Sequence, residues 1–303
     1  MKITVFTPTY NRAYIIENLY RSLQRQTCLD FEWLVVDDGS TDNTAELFAQ
    51  WMQEHNPFPI RYYTQPNGGK HRAINKGVPL AAGELFFIVD SDDFLEDRAV
   101  EVMCQQLDTL PCSTAHKFAG ICNLKASPAY HPLGSSFSGD FIDCTALDRD
   151  RYNISGDKAE AFFTSVMRRY PFPEFEGEKF VTEAVVWDRM AMDGLIIRFF
   201  NEITYLCEYL DDGLTSLGLD LYYQNPCGYG CYLKQCRQNG KFEPGLQRYF
   251  DTQCVLSWHN KISFRQISSL LGISPMRLAA ETAFSIAWET GSKIKHLLIG
   301  DKK

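Results

Sequence analysis

Three carboxylates within four residues, in Asp90-Ser91-Asp92-Asp93, are the densest chemical signal in this 303-residue chain. Carboxylates this close repel one another unless something positive sits among them. Hard oxygen ligands at a strand end suit Mg2+ or Mn2+ bridging to substrate phosphates. The competing reading is a solvated helix N-terminus, where aspartates are common in the cap and first turn. A second acidic cluster, Asp37-Asp38-Gly39-Ser40, reads in one way as an Asp-Gly turn with a helix cap. In the other, its carboxylate accepts a hydrogen bond from a nucleobase N–H, and Gly39 lets the backbone close in. Asn67-Gly68-Gly69-Lys70-His71-Arg72 sets glycines and cations at a helix start, which is an anion-site pattern. It has neither the Walker order nor G-x-G-x-x-G. Glu183 stands near the start of a helix expected over 181–192, where most glutamates simply favour the helix N-terminus.

The elements that must position these groups alternate along the first half. Short β-branched and aromatic runs at 3–6, 31–36, 60–64 and 85–89 read as strands. Between them, Ile15, Ile16, Leu19, Tyr20 and Leu23 recur at helical spacing, as do Leu47, Phe48, Trp51 and Met52 after the caps Ser40, Thr41 and Asp42. A third helix is expected over 70–82, and Val100, Met103, Cys104 and Leu107 mark a fourth. Four strand–helix units in succession imply an α/β fold with a mostly parallel, doubly wound (Rossmann-like) sheet covered on both faces. Ligands of such sheets gather at the carboxyl ends of the strands, and the strand-end clusters above all fall there. Further strands are expected over 118–124, 161–167 and 196–206, with a loop-rich stretch at 125–160. From Leu219 onward the pattern is helical, over 247–258, 264–271 and 276–288. The boundary between core and helical tail is expected between Gly213 and Gly218.

Hydrophobic residues make up 45% and charged residues 22% of the chain, as in an ordinary globular protein. A net charge of −8 argues against a nucleic-acid partner. No export signal precedes the first strand, so the ten cysteines are expected as free thiols in a reducing cytoplasm. Cys207, Cys227, Cys231 and Cys236 lack a CxxC pair and read as buried small hydrophobes rather than a zinc site. No apolar run approaches the roughly 20 residues of a membrane span.

Taken together, the clusters resemble the family-2 glycosyltransferases of GT-A fold. The match runs through Thr4-Val5-Phe6-Thr7-Pro8-Thr9-Tyr10-Asn11-Arg12, then Leu34 to Asp42, then Gly83 to Asp93, in the family's order and separations. The resemblance implies an inverting transfer from a nucleotide-diphosphate sugar, typically a UDP-sugar, to a hydroxyl of a saccharide or lipid-linked acceptor in cell-surface polysaccharide or glycolipid assembly. Pro8, Thr9, Tyr10 and Arg12 are then expected to hold the donor, and Asp38 to read its base. Asp90 and Ser91 fall at the ribose side of the DXD region, and Asp92 or Asp93 at the Mn2+ or Mg2+. Lys70 and His71 approach the diphosphate. The family's catalytic base lies in an "ED" motif ahead of a helix carrying Trp. Alignment on Trp187 puts Thr182 at the Glu and Glu183 at the Asp, so the pattern is altered and Glu183 is the carboxylate left to serve.

The corresponding domain plan is a catalytic domain over 1–215, with donor half 1–110 and acceptor half 111–215, and a helical extension over 216–303. Tyr209 to Thr215 could border the cleft or be a polar loop. Tyr222, Tyr223, Tyr229 and Tyr232 could stack sugars or pack a core. The tail interleaves Ile294, Leu297, Leu298 and Ile299 with Lys293, Lys295, Lys302 and Lys303, a pattern open to peripheral contact with an anionic membrane, to a homodimer contact, or to a solvated helix. Two rival functions are a non-catalytic nucleotide-sugar-binding module and a sugar-nucleotide pyrophosphorylase. The altered "ED" position keeps the first open; the first-strand end, Pro8-Thr9-Tyr10, weighs against the Gly-rich loop of the second.

Overall fold

The computed structural model describes residues 1–111, 117–207, 210 and 213–299, with side chains up to residue 287 except those of 214 and 215. The chain divides into two compact units, Met1–Glu174 with Val186–Ser216, and Phe175–Val185 with Leu217–Lys303.

The first unit is built on strands β1 (Ile3–Thr9), β2 (Phe31–Asp37), β3 (Ile60–Thr64) and β4 (Leu85–Ile88). They lie in the order β3-β2-β1-β4 and all pair in parallel. Every residue of β1 and β2 is buried, as expected of strands covered on both faces. Helices α1 (Glu17–Gln24), α2 (Thr44–Trp51) and α3 (Lys70–Leu80) return the chain between them. A fan of aromatics fixes α1 and α2 to the sheet. Tyr20 stacks on Trp51 at 4.4 Å and Trp33 meets Phe48 at 5.0 Å, while Trp33 Nε1 donates to Thr7 Oγ1 at 3.0 Å. Each such ring pair adds roughly 0.5–1.5 kcal/mol beyond its area. Helix α3 rides directly on β1, since a Cβ at Gly77 would lie 2.1 Å from the Phe6 ring.

Beyond β4 the sheet becomes mixed. The next elements are β5 (Phe94–Leu95), α4 (Ala99–Asp108), β6 (Phe118–Ala126), β7 (Phe141–Cys144), a 3-10 turn at Ala146–Tyr152, β8 (Lys158–Phe163), α5 (Thr164–Met167), α6 (Ala184–Met192) and β9 (Ile196–Leu206). Strand β8 inserts between β4 and β6, antiparallel to both. Strand β9 runs parallel to β6, and β5 and β7 add to it antiparallel. The fold is therefore an open α/β sheet whose parallel character belongs to its first four strands. Two expected elements are corrected. The run at 161–167 is strand only to Phe163, because Thr164 turns the chain by donating its Oγ1 to Gly83 O at 2.6 Å and starts α5. The helix expected from 181 begins at Ala184, so Glu183 precedes it rather than lying within it.

The second unit contains α7 (Gly218–Tyr223), α8 (Pro226–Asn239), α9 (Pro244–Trp258), α10 (Phe264–Leu271) and α11 (Pro275–Ile299). Proline opens α8 and α9, where its missing N–H costs nothing. Left-handed Gly240 and Gly272 close α8 and α10. Tyr229, Leu233, Trp258, Ile267, Leu271 and Leu278 form its core. Tyr222 and Tyr223 pack in ring contacts with Tyr229 at 4.9 and 5.8 Å, the core role of the two readings. The segment Phe175–Val185 is tied in by Glu178, whose carboxylate accepts the N–H groups of Cys227 and Gly228 at 2.7 and 2.8 Å.

Tyr209, Asp211 and Asp212, and the lysine-bearing tail side chains from Lys293 to Lys303, lie outside the described residues. Among the described residues no helix is long and apolar enough to cross a membrane, and no cysteine forms a disulfide.

Candidate active site

The parallel strands deliver their carboxyl ends to one rim, where the loops after β1 and β2 are laced together. Asp38 N donates to Thr9 O at 2.8 Å, and Asn11 N to Ser40 Oγ at 2.8 Å. Asn11 Oδ1 accepts Thr41 N at 2.7 Å, and Asp42 Oδ2 accepts Ala13 N at 2.9 Å. Asp42 also receives Thr44 N and Oγ1 at the start of α2. Burial works against the Asp42 charge, but these hydrogen bonds outweigh it and hold its pKa below the usual range. Pro8 and Thr9 are consequently rigid, and Thr9 is 3% exposed. Tyr10 leaves the strand and stands 45% exposed, open to a planar ligand.

Asp38 organises the next loop. Its Oδ1 accepts Gln65 Nε2 at 2.7 Å and Gly68 N at 2.8 Å. Its Oδ2 accepts Gly69 N at 2.7 Å and Asn67 Nδ2 at 3.1 Å. Four donors fill the carboxylate's acceptor sites. A nucleobase N–H can reach Asp38 only by displacing one, and the side chains of Gln65 and Asn67 are the two able to rotate away. Gly39 is required here, because its φ is +82° and a Cβ would come within 2.9 Å of Asn67 N. Asp37 supports the same turn by accepting Ser40 N at 2.7 Å and the Tyr62 hydroxyl.

The clamped loop launches α3 with Lys70 at its first position, and Lys70 Nζ meets Asp90 Oδ1 at 2.7 Å. Arg12 reaches Asp92 Oδ2 at 3.8 Å. Three loops read separately in the sequence thus meet around the tetrad. Ser91 and Asp93 are 6% and 7% exposed. Two residues that carried no motif complete the cluster, Tyr205 on β9 and Lys125 on β6. The Tyr205 hydroxyl accepts Asp90 N–H at 2.9 Å and donates to Asp93 Oδ2 at 2.6 Å. Lys125 Nζ sits 4.1 Å from the Tyr205 ring centroid. The only sequence signal for them is a lysine closing the apolar run 118–124 and a tyrosine at the end of the long strand 196–206.

The electrostatics follow from burial and these partners. Burial and the Asp90 charge push Asp93 up to about 7. They raise Asp92 as well. Asp90 goes the other way, since Lys70 and Lys125 outweigh its burial and keep it ionised. Lys125 is buried against its charge, but Asp90 and Asp93 more than restore it. Three carboxylates thus share the rim with three cations, Arg12, Lys70 and Lys125, and Asp92 and Asp93 are the two whose charge burial disfavours on balance.

Among the described residues no group of three or more His, Cys, Asp or Glu side chains is arranged to hold a metal. Mg2+ and Mn2+ take hard oxygen donors, and the carboxylates of Asp92 and Asp93 are of that kind. His71 is 2% exposed, turned into the body of the domain from the first turn of α3. Glu183 belongs to the second unit, in the segment Phe175–Val185.

An open α/β sheet of this order, with three carboxylates in the tetrad that follows its fourth strand, is a fold of GT-A type. Residues 4–137 match the model of glycosyl transferase family 2, and this region is a family-2 glycosyltransferase domain. A glycosyltransferase of Streptococcus pneumoniae, GlyG, is 37% identical over 106 residues, which are 35% of each chain. The chain thus spans about a third of the length of that relative. A GalNAc(5)-diNAcBac-PP-undecaprenol beta-1,3-glucosyltransferase of Campylobacter jejuni is 28% identical over 196 residues, 61% of this chain and 58% of that one. The crystal structure of S. aureus TarS 1-349 with UDP-GlcNAc superposes with a TM-score of 0.62 at 19% identity, over 93% of this chain and 88% of that one. At that identity the likeness speaks for the fold.

Proposed function

We propose that the chain is an inverting glycosyltransferase that moves a sugar from a nucleotide-diphosphate donor, a UDP-sugar, to a hydroxyl of a saccharide or lipid-linked acceptor. The observation that carries this reading is the meeting of the Asp38-clamped loop, the Lys70–Asp90 ion pair and the tetrad at one strand-end rim. The acceptor class rests on the undecaprenol-linked acceptor in the name of the Campylobacter relative and on the family resemblance.

In this reading Tyr10 and the rigid backbone of Pro8 and Thr9 hold the nucleoside, and Asp38 sets the shape of the base pocket. Asp90 and Ser91 border the ribose. Lys70, parked on Asp90, turns to the diphosphate as the donor enters, and Arg12, beside Asp92, joins it, while the buried His71 supports the start of α3. Asp92 or Asp93 would hold Mg2+ or Mn2+, which when bound would neutralise charge on the leaving diphosphate. Residues 1–110 form the donor half, 111–215 the acceptor half, and 216–303 a helical extension.

The base role goes to Glu183 on the family pattern alone. It would take the proton of the acceptor hydroxyl as that oxygen attacks the anomeric carbon. Passage through an oxocarbenium-like state then needs no covalent intermediate. The test is UDP release from a panel of UDP-sugars with saccharide acceptors. Glu183→Gln is expected to lower turnover by about 100-fold or more while UDP binding persists. Unchanged turnover would remove Glu183 from the mechanism.

A further inference from the structure

We propose that Tyr205 and Lys125 are positioning residues that divide the work of the tetrad. Tyr205 holds Asp90 and Asp93 in place and Lys125 backs its ring, so that Asp92 is the carboxylate presented to a divalent cation. This inference rests on the donor-site reading above.

Tyr205 is 0% exposed, and its single hydroxyl bonds to both the first and the last residue of the tetrad. The backbone closes the same turn through Asp93 N and Asp90 O at 3.2 Å. The hydroxyl thus fixes the chord of the turn from outside, and it occupies Oδ2 of Asp93. Lys125 supplies the counter-charge. It is the direct register partner of Tyr205 in the β6–β9 pair, and the register shifts on either side of Leu124. Irregularities of this kind re-aim side chains and are common beside active sites. Here one brings a lysine over the ring face of Tyr205, 4.1 Å from its centroid.

Asp92 is held differently. Its carboxylate is 22% exposed, and the Arg12 guanidinium stands 3.8 Å away, at the outer limit of an ion pair. A group that must exchange partners when a cation and a diphosphate arrive is better served by a long contact than by a short one. Lys125 and Tyr205 stay fixed on the inner side, while Lys70, which is 26% exposed, and Arg12 can exchange on the outer side.

The test is calorimetric titration of UDP into the full chain, with Mn2+ and with EDTA, for wild type, Tyr205→Phe, Lys125→Met and Lys125→Arg. Wild type is expected to gain affinity with Mn2+. In Tyr205→Phe and Lys125→Met that gain should fall by about tenfold, as for groups that orient metal ligands, with affinity in EDTA held within about twofold. Lys125→Arg should recover most of the gain. A Mn2+ gain equal to wild type in both variants overturns the inference. So does an equal loss in Mn2+ and in EDTA, the mark of a merely structural role, with thermal melting reporting whether the fold is intact. No Mn2+ gain in the wild type overturns the donor-site reading, and this inference with it.

Discussion

Asp38 shows how one side chain can build a loop. Its two oxygens collect two backbone N–H groups and two side-chain amides from Gln65 to Gly69. Truncation strands those donors, and each charge-assisted hydrogen bond is worth about 1.5–3 kcal/mol. Asp38→Ala should therefore lower unfolding stability by about 3 kcal/mol or more in a urea titration; a shift under 1 kcal/mol would mean the loop holds itself. Asp93 offers a test with a definite sign. Its folded pKa is raised to about 7, above its unfolded value, so the folded state carries the extra proton between about pH 4 and 7. Stability at this site is thus greatest at low pH and is lost as pH rises through 7. With EDTA present, Asp93→Asn should gain about 1 kcal/mol relative to wild type between pH 6 and pH 8. A gain of the same size at both values would show that Asp93 ionises as an ordinary carboxylate.

At the scale of elements, the parallel half was legible because each unit announces itself by an apolar run, a polar strand end and a helical period. The expected strand over 196–206 coincides with β9, and helix α10 with 264–271. Nothing in the sequence announces that β8 inserts antiparallel between β4 and β6, because a buried strand reads the same in either direction. Tyr205 and Lys125 were missed for the same reason, since their role comes from a register and its irregularity rather than from a motif. Asp38 was found by its motif, yet its four-donor clamp was not, because the donors lie 27 to 31 residues away. Helix α3 depends on close approach to β1 at Gly77. Gly77→Ala should destabilise the protein by about 2 kcal/mol, as overpacking does, read from the denaturation midpoint. A neutral result would mean Phe6 has room to yield.

Over the whole molecule, the family match and the clearest site geometry fall in the first unit, while the base candidate Glu183 falls in the second. The donor site can therefore be tested without reference to the acceptor or to the base. The most direct measurement is a binding titration of UDP and of GDP, each with and without Mn2+, on wild type and on Asp92→Ala. The account predicts Mn2+-dependent binding of UDP to the wild type, lost in Asp92→Ala, with binding in EDTA alike for the two proteins. Absence of metal-dependent binding of either nucleotide would contradict it.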